Sequence, residues 1–73
     1  MDVGSQTEWD ARIPLEEIER RKMLCVRRLG MELAPHLMRG PVHVTVSETT
    51  EEQEFFGMPR TVYTLLASLR FRD

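Results

Sequence analysis

The chain has 73 residues, of which 10 are basic and 12 are acidic, so its formal net charge is -2. A chain of this length has material for one hydrophobic core, which excludes a second independent domain. The acidic balance lacks the electrostatic signature of a nucleic-acid binder, and the single cysteine excludes an intramolecular disulfide.

Residues 1–12 are predicted to be a flexible N-terminal tail, and residues 13–73 a single small domain. The tail is polar, and the stretch from Gly4 to Thr7 is typical of a mobile chain end. Trp9 is its one aromatic side chain. This tryptophan has two interpretations: it packs back on the domain as a lid, or it anchors a partner protein.

The strongest prediction is a helix from Pro14 to about Ala34, ending between residues 30 and 38. Proline suits the first helical position, and glutamates suit the positive N-terminal end of a helix. Pro35 forbids an undisturbed continuation, and Gly30 is a candidate C-terminal cap. Two acid-first ion pairs at a spacing of four residues support the helix. They are Glu16 with Arg20 and Glu17 with Arg21.

One stripe of this helix is predicted to face the core, with Lys22 extending outward from it. Cys25 lies on the stripe, so we expect an inert, buried thiol rather than a reactive one. The apolar members of the stripe are Leu15, Ile18, Cys25, Val26, Leu29 and Leu33.

Past Gly40-Pro41, the chain is predicted to form strands. Val42, Val44 and Val46 alternate with polar residues, which is the period of a half-buried strand. Thr49 to Glu54 is either a turn or the start of a second, short strand running through Phe55 and Phe56. The short strand is favoured, with Gly57 to Arg60 as the next turn.

The last segment, from Thr61 to Arg72, fits both a strand and a helix template, and its Thr-Val-Tyr-Thr opening favours the strand. The predicted fold class is therefore α+β, with one main amphipathic helix packed on a small antiparallel sheet of two to three strands.

Catalytic, cofactor and metal sites are not predicted. The only imidazole and thiol groups are His36, His43 and Cys25, which have no paired spacing suited to a metal. The four glycines are too far apart for a phosphate-binding loop, and so small a domain hardly encloses a pocket. We expect a protein that is not an enzyme and acts by binding another macromolecule.

Three surfaces are candidates for that binding: Trp9, an arginine-bordered apolar stripe on the outer side of the helix, and the turn after the acidic run. Arginine, methionine and aromatic residues are enriched at protein interfaces. An acidic run and the edges of the sheet add an electrostatic and a strand-pairing route. The predicted contact residues are Trp9, Arg20, Leu24, Arg27, Arg28, Met31, Phe55, Phe56, Met58 and Arg60. The acidic run contains Glu48, Glu51, Glu52 and Glu54.

With its polar tail carrying Trp9, its charged helix with Glu-Arg pairs, its small sheet and its lack of a site, the chain resembles small bacteriophage-encoded regulators that bind host RNA polymerase. The resemblance covers the whole chain through size and character. It implies a partner-binding protein that inhibits transcription initiation and suppresses termination, acting in the host cytoplasm as a monomer or weak dimer.

Other classes stay open at this point. The protein is alternatively an inhibitor of another host or phage machine, a structural phage component, or a weak nucleic-acid binder through the basic helix face. Direct nucleic-acid binding is disfavoured by the net charge. No run of about 18 apolar residues and no signal peptide is found in the sequence, so we expect a cytoplasmic protein without a membrane span.

Overall fold

The computed structural model describes residues 1–72, which form three strands and one helix. Strand β1 spans Asp2–Asp10, helix α1 spans Leu15–Leu37, strand β2 spans Val42–Phe55 and strand β3 spans Met58–Phe71. The three strands make one antiparallel sheet in the order β1-β3-β2. This architecture confirms the predicted α+β class and the strand interpretation of the last segment.

The sheet has one face covered by the helix and one face open. Helix α1 packs on β1 and β3, while β2 is an edge strand of which only Val42 and Val44 pack against the core. The registers place Val3, Ala67 and Val46 in one row on the covered face. The buried core lies between α1 and the two strands beneath it. It consists of Trp9, Cys25, Leu29, Leu33, Tyr63, Leu65, Ala67 and Leu69.

Residues 2–10 are an edge strand, which corrects the interpretation of residues 1–12 as a flexible tail. Val3, Ser5, Thr7 and Trp9 point toward the helix, because alternate residues of a strand share a face. Two of these four side chains, Ser5 and Thr7, are small and polar, so their alternation carries little hydrophobic signal. The Cys25 thiol donates a hydrogen bond to the Ser5 hydroxyl at 3.2 Å, and this contact links β1 to the helix.

The acidic run is not a turn or a separate short strand. Residues 42–55 form one continuous strand, and the turn consists of Phe56 and Gly57 rather than residues 57–60. Both turn residues have positive φ, 52° and 75°, as in the type I′ turn that suits a two-residue hairpin. The hairpin therefore extends to its tip without interruption.

The helix ends at Leu37, inside the predicted interval, with Pro35 in its last turn. Gly30 lies in the middle of the helix and is not its cap. The chain leaves the helix through Gly40, whose φ of 138° favours glycine. The predicted core stripe is partly wrong: Cys25, Leu29 and Leu33 are buried as expected, whereas Leu15 and Val26 are mostly exposed.

Candidate protein-binding surface

The outer surface of α1 carries the arginine-bordered apolar stripe that the sequence predicts. Arg20, Leu24, Arg27, Arg28 and Met31 all lie on the side of the helix away from the sheet, and all are exposed. Met31 has 71% of its surface exposed, whereas Leu24, at 37%, sits among its neighbours. A shallow depression beside Leu24 is lined by aliphatic and charged groups of three successive helical turns. This surface presents apolar groups inside a ring of charge.

The arginines of this surface differ in their pairing. The Glu17 carboxylate lies 3.3 Å from the Arg21 guanidinium and 3.7 Å from that of Arg20. The predicted Glu17-Arg21 pair is therefore present, and Arg20 pairs with Glu17 instead of Glu16. Within residues 1–72, neither Arg27 nor Arg28 forms an ion pair. Their guanidinium groups are available to carboxylates of another molecule.

One flank of α1 adds exposed apolar surface, in which Leu15 and Val26 are predicted by the sequence to face the core and Met23 and Leu37 have no predicted contact. Leu15, Met23, Val26 and Leu37 are 49–70% exposed there. The helix buries a narrow arc because it rests on only two strands. Residues at the margin of the predicted core stripe consequently face solvent, and hydrophobic periodicity alone does not reveal how wide the supporting sheet is.

The tip of the β2-β3 hairpin is the most exposed aromatic feature of the chain. Phe56 has 92% of its surface exposed and Phe55 55%, so both rings face solvent although adjacent residues of a strand point to opposite faces. Their rings meet edge to face with centroids 4.6 Å apart. The Arg60 guanidinium lies 5.3 Å from the Phe55 ring and is held by an ion pair with Glu8 at 2.9 Å. Met58, at 44% exposure, completes the cluster.

Phe56 also stands in an unfavourable backbone conformation. Its φ of 52° lies in the left-handed region, which glycine and asparagine adopt readily and aromatic residues rarely do. The side chain gains little burial in return, since it faces solvent. Folding alone therefore does not account for a phenylalanine at this position, and strained, exposed residues of this kind cluster at binding sites.

Trp9 belongs to the core and not to the surface, which decides between its two interpretations in favour of packing on the domain. Its side chain is 7% exposed, and its ring lies 6.3 Å from that of Tyr63. The Lys22 ammonium group lies 5.9 Å from the tryptophan ring centre and 5.3 Å from the tyrosine ring centre. Lys22 thus covers both rings by cation-π contact instead of extending freely into water.

Tyr63 ties the core to the acidic strand. Its hydroxyl donates a short hydrogen bond to the Glu48 carboxylate. This bond, followed by burial of the phenol and the negative charge of Glu48, raises the pKa of Tyr63 to about 12. The other acidic residues of the run, Glu51, Glu52 and Glu54, are exposed along β2. The predicted negative pole exists as a strand rather than as a loop.

Cys25 is buried, as expected from its place on the helix. Among residues 1–72, no group of three or more His, Cys, Asp or Glu side chains is arranged to hold a metal ion. In the same part of the chain, no helix has both the length and the apolar character needed to cross a membrane.

Comparison of the chain with protein-family models, with curated proteins and with solved structures gives no match. Two exposed surfaces are therefore the candidate contacts of the protein. The hairpin tip is formed by Phe55, Phe56, Met58 and Arg60, and the outer helix face is formed by Arg20, Leu24, Arg27, Arg28 and Met31.

Proposed function

We propose that this protein is a non-enzymatic regulator that acts by binding another protein through the hairpin tip and the outer helix face. The observation that carries the proposal is Phe56. A phenylalanine that is 92% exposed on a left-handed backbone costs stability, and binding energy gained by burying the ring in a partner offsets that cost.

The outer helix face supports the same proposal with a different chemistry. Arg27 and Arg28 have no ion-pair partner within the described residues, and Leu24 and Met31 lie beside them. Arginine forms two parallel hydrogen bonds with a carboxylate, and apolar groups next to such pairs exclude water. The partner surface suited to this face is acidic at its rim and apolar at its centre.

Bacterial RNA polymerase is the partner that we propose first, because the chain resembles phage-encoded regulators of that enzyme. On this proposal the protein inhibits initiation and suppresses termination in the cytoplasm of the host, and its effect on transcription follows from occupancy of the polymerase surface. The net charge of -2 disfavours direct contact with DNA as the basis of binding.

The proposal is tested by titrating purified bacterial RNA polymerase, with and without its sigma factor, into the fluorescently labelled protein. Reversing the charge of Arg27 and Arg28 together, as Arg27→Glu with Arg28→Glu, is expected to weaken binding at least about ten-fold, since both guanidinium groups lose their acidic partners. The helix should stay folded, because both side chains are exposed.

The matched control is Arg12→Glu with Arg39→Glu. It changes the net charge equally at two exposed positions outside both proposed surfaces. This variant should bind like the unaltered protein at moderate salt. If both double variants bind equally weakly, the loss of affinity is due to net charge and not to the outer helix face. If the unaltered protein binds neither form of the polymerase, this partner is refuted.

A further inference from the structure

The outer edge of β2 is a strand without a partner. The N–H of Arg72 donates to the carbonyl of Pro41 at 3.2 Å, and Phe55 with Met58 closes the hairpin turn. In an antiparallel ladder, hydrogen-bonded and non-hydrogen-bonded residue pairs alternate. Because Pro41 and Phe55 are in hydrogen-bonded pairs, the odd-numbered residues of β2 bond to β3. The even-numbered residues, from Val42 to Glu54, direct their backbone N–H and C=O groups outward.

This edge lacks two of the features that often prevent pairing with another chain, a proline and a bulge. β2 has 14 residues in unbroken register, with no proline and no bulge. Every one of its residues from Thr45 onward is exposed. The opposite edge differs, since the Arg21 guanidinium crosses β1 and donates to the outward-facing carbonyl of Glu8 at 2.6 Å.

The chain also exposes more surface than a compact monomer of its mass. Its accessible surface is 5813 Å², whereas about 4700 Å² is typical of a monomeric protein of this mass. Its radius of gyration is 14.8 Å, against about 11 Å for a compact domain of this length. The excess of roughly 1100 Å² exceeds the roughly 800 Å² that each partner buries in a standard interface.

The side chains of β2 are complementary to those of a second, antiparallel β2. Consider the register with Ser47 opposite Ser47 of the second copy. Thr45 then faces Thr49, and His43 faces Glu51, on each side of a two-fold axis. Hydroxyl pairs across strands are favourable, and an imidazole can donate a hydrogen bond to the carboxylate that it faces. Arg70, beside His43 on β3, places a second basic group near each Glu51.

The neighbouring registers are less favourable. The outward N–H and C=O groups belong to even-numbered residues, so an even-numbered residue of one β2 must lie opposite an even-numbered residue of the other. The register can therefore change only in steps that keep this pairing. One step in one direction places Glu48 directly against Glu48 of the second copy, which is repulsive. One step in the other direction places His43 against Thr49 and loses both His43-Glu51 pairs. The side chains of the strand therefore favour the Ser47 register over both of its neighbours.

We propose that a second copy of this chain docks on the outer edge of β2, in antiparallel register with Ser47 on the two-fold axis, to form a continuous six-stranded sheet. Both helices then lie on the same face of this sheet. With strands about 4.8 Å apart, the helix axes are about 19 Å from each other. Val42, Val44 and Val46 of both copies form the floor between them. Neither the hairpin tip nor the outer helix face is consumed by this contact.

Sedimentation equilibrium of the full chain over micromolar to millimolar concentrations tests the proposal. The expected result is a reversible species of twice the 8.6 kDa chain mass. Thr50→Pro removes one outward N–H from β2 and should abolish the dimer. The matched control, Gln6→Pro, removes an outward N–H from the other edge and should leave the dimer intact. Circular dichroism establishes that each variant is folded.

The register is tested by charge exchange. His43→Glu should weaken dimerisation about ten-fold, since two favourable pairs become repulsive, and adding Glu51→Lys to it should restore the original affinity. In the unaltered protein, amide exchange at Val44 and Thr50 should slow as concentration rises. A single 8.6 kDa species at all concentrations would overturn the proposal. If folded Thr50→Pro still dimerises, the contact does not use this edge. If the double variant dimerises as weakly as His43→Glu alone, the proposed register is wrong.

Discussion

At position 56 the residue type and the backbone disagree. A two-residue turn with positive φ at both positions is formed best by Asn-Gly, and the chain has Phe-Gly. The difference between a left-handed phenylalanine and a left-handed asparagine is on the order of 1 kcal/mol. In a chain of 73 residues the total free energy of unfolding is small, so this loss is a sizeable fraction of it. The binding role that we propose for the ring would account for it.

The neighbourhood of Tyr63 shows how single residues connect the core to the polar strand. The hydroxyl stays neutral to high pH because it donates to the Glu48 carboxylate and is buried. The folded-state pKa is raised above the ordinary value, so this interaction stabilises the folded protein below about pH 10. The stabilisation is lost as pH rises through about 12.

Because Tyr63 is the only tyrosine, near-ultraviolet absorbance against pH reports its ionisation alone. The midpoint is expected at about 12 in the folded protein and near 10.0 in denaturant. Glu48→Ala should lower the folded midpoint, whereas Glu52→Ala, on the same face of β2, should leave it unchanged. A folded midpoint near that of the denatured chain would contradict the hydrogen bond as its cause.

At the level of elements, β1 is the part that sequence reasoning missed. Helix α1 and strand β3 follow apolar periodicities, which predict an element when the apolar residues are large. In β1 the inward positions are Val3, Ser5, Thr7 and Trp9, and two of these are small hydroxyl residues. Their role depends on Cys25 and Lys22 above them, and these contacts are long-range in the sequence.

The candidate contact residues also differ in whether the sequence alone could predict them. The arginines and apolar residues of the outer helix face were predicted because a helix of known phase determines its outer side. The two aromatic residues of the tip were also predicted, but the turn between β2 and β3 was placed two residues late. The strain at Phe56 is visible only in backbone angles. Packing on the domain, one of the two interpretations of Trp9, is what the structure shows, whereas its inclusion among the contact residues is wrong because the ring is buried in the core.

Amide hydrogen exchange followed by nuclear magnetic resonance distinguishes an edge strand from a tail at residue resolution. The N–H of Leu69 donates to the carbonyl of Met1 at 2.8 Å, so Met1 is in a hydrogen-bonded pair with β3. Because hydrogen-bonded pairs recur at every second residue, β3 is also faced by the N–H groups of Val3, Ser5, Thr7 and Trp9. Those four amides should exchange slowly. The alternate amides, such as that of Gln6, should exchange fast. Uniformly fast exchange from residue 2 to residue 10 would contradict β1.

On the scale of the whole molecule, the fold is a single sheet with one helix, and its extents are 49 × 21 × 14 Å. Such a shape has a small core and a large surface for its mass. The hairpin carries Phe56 to one end of the molecule, while the outer helix face lies along its side. This arrangement suits the proposed role in binding another protein, and it leaves β2 for the proposed self-association.

The affinity of Phe56→Asn for bacterial RNA polymerase, measured beside the unaltered protein, tests the proposed role most directly. Asparagine adopts the left-handed backbone of this turn with less strain than phenylalanine, so the free energy of unfolding of the variant should be about 1 kcal/mol higher. It also removes the exposed ring, so binding should weaken at least about ten-fold. A more stable protein that binds less well is the predicted result. Unchanged affinity in a folded variant would contradict a binding role for the hairpin tip.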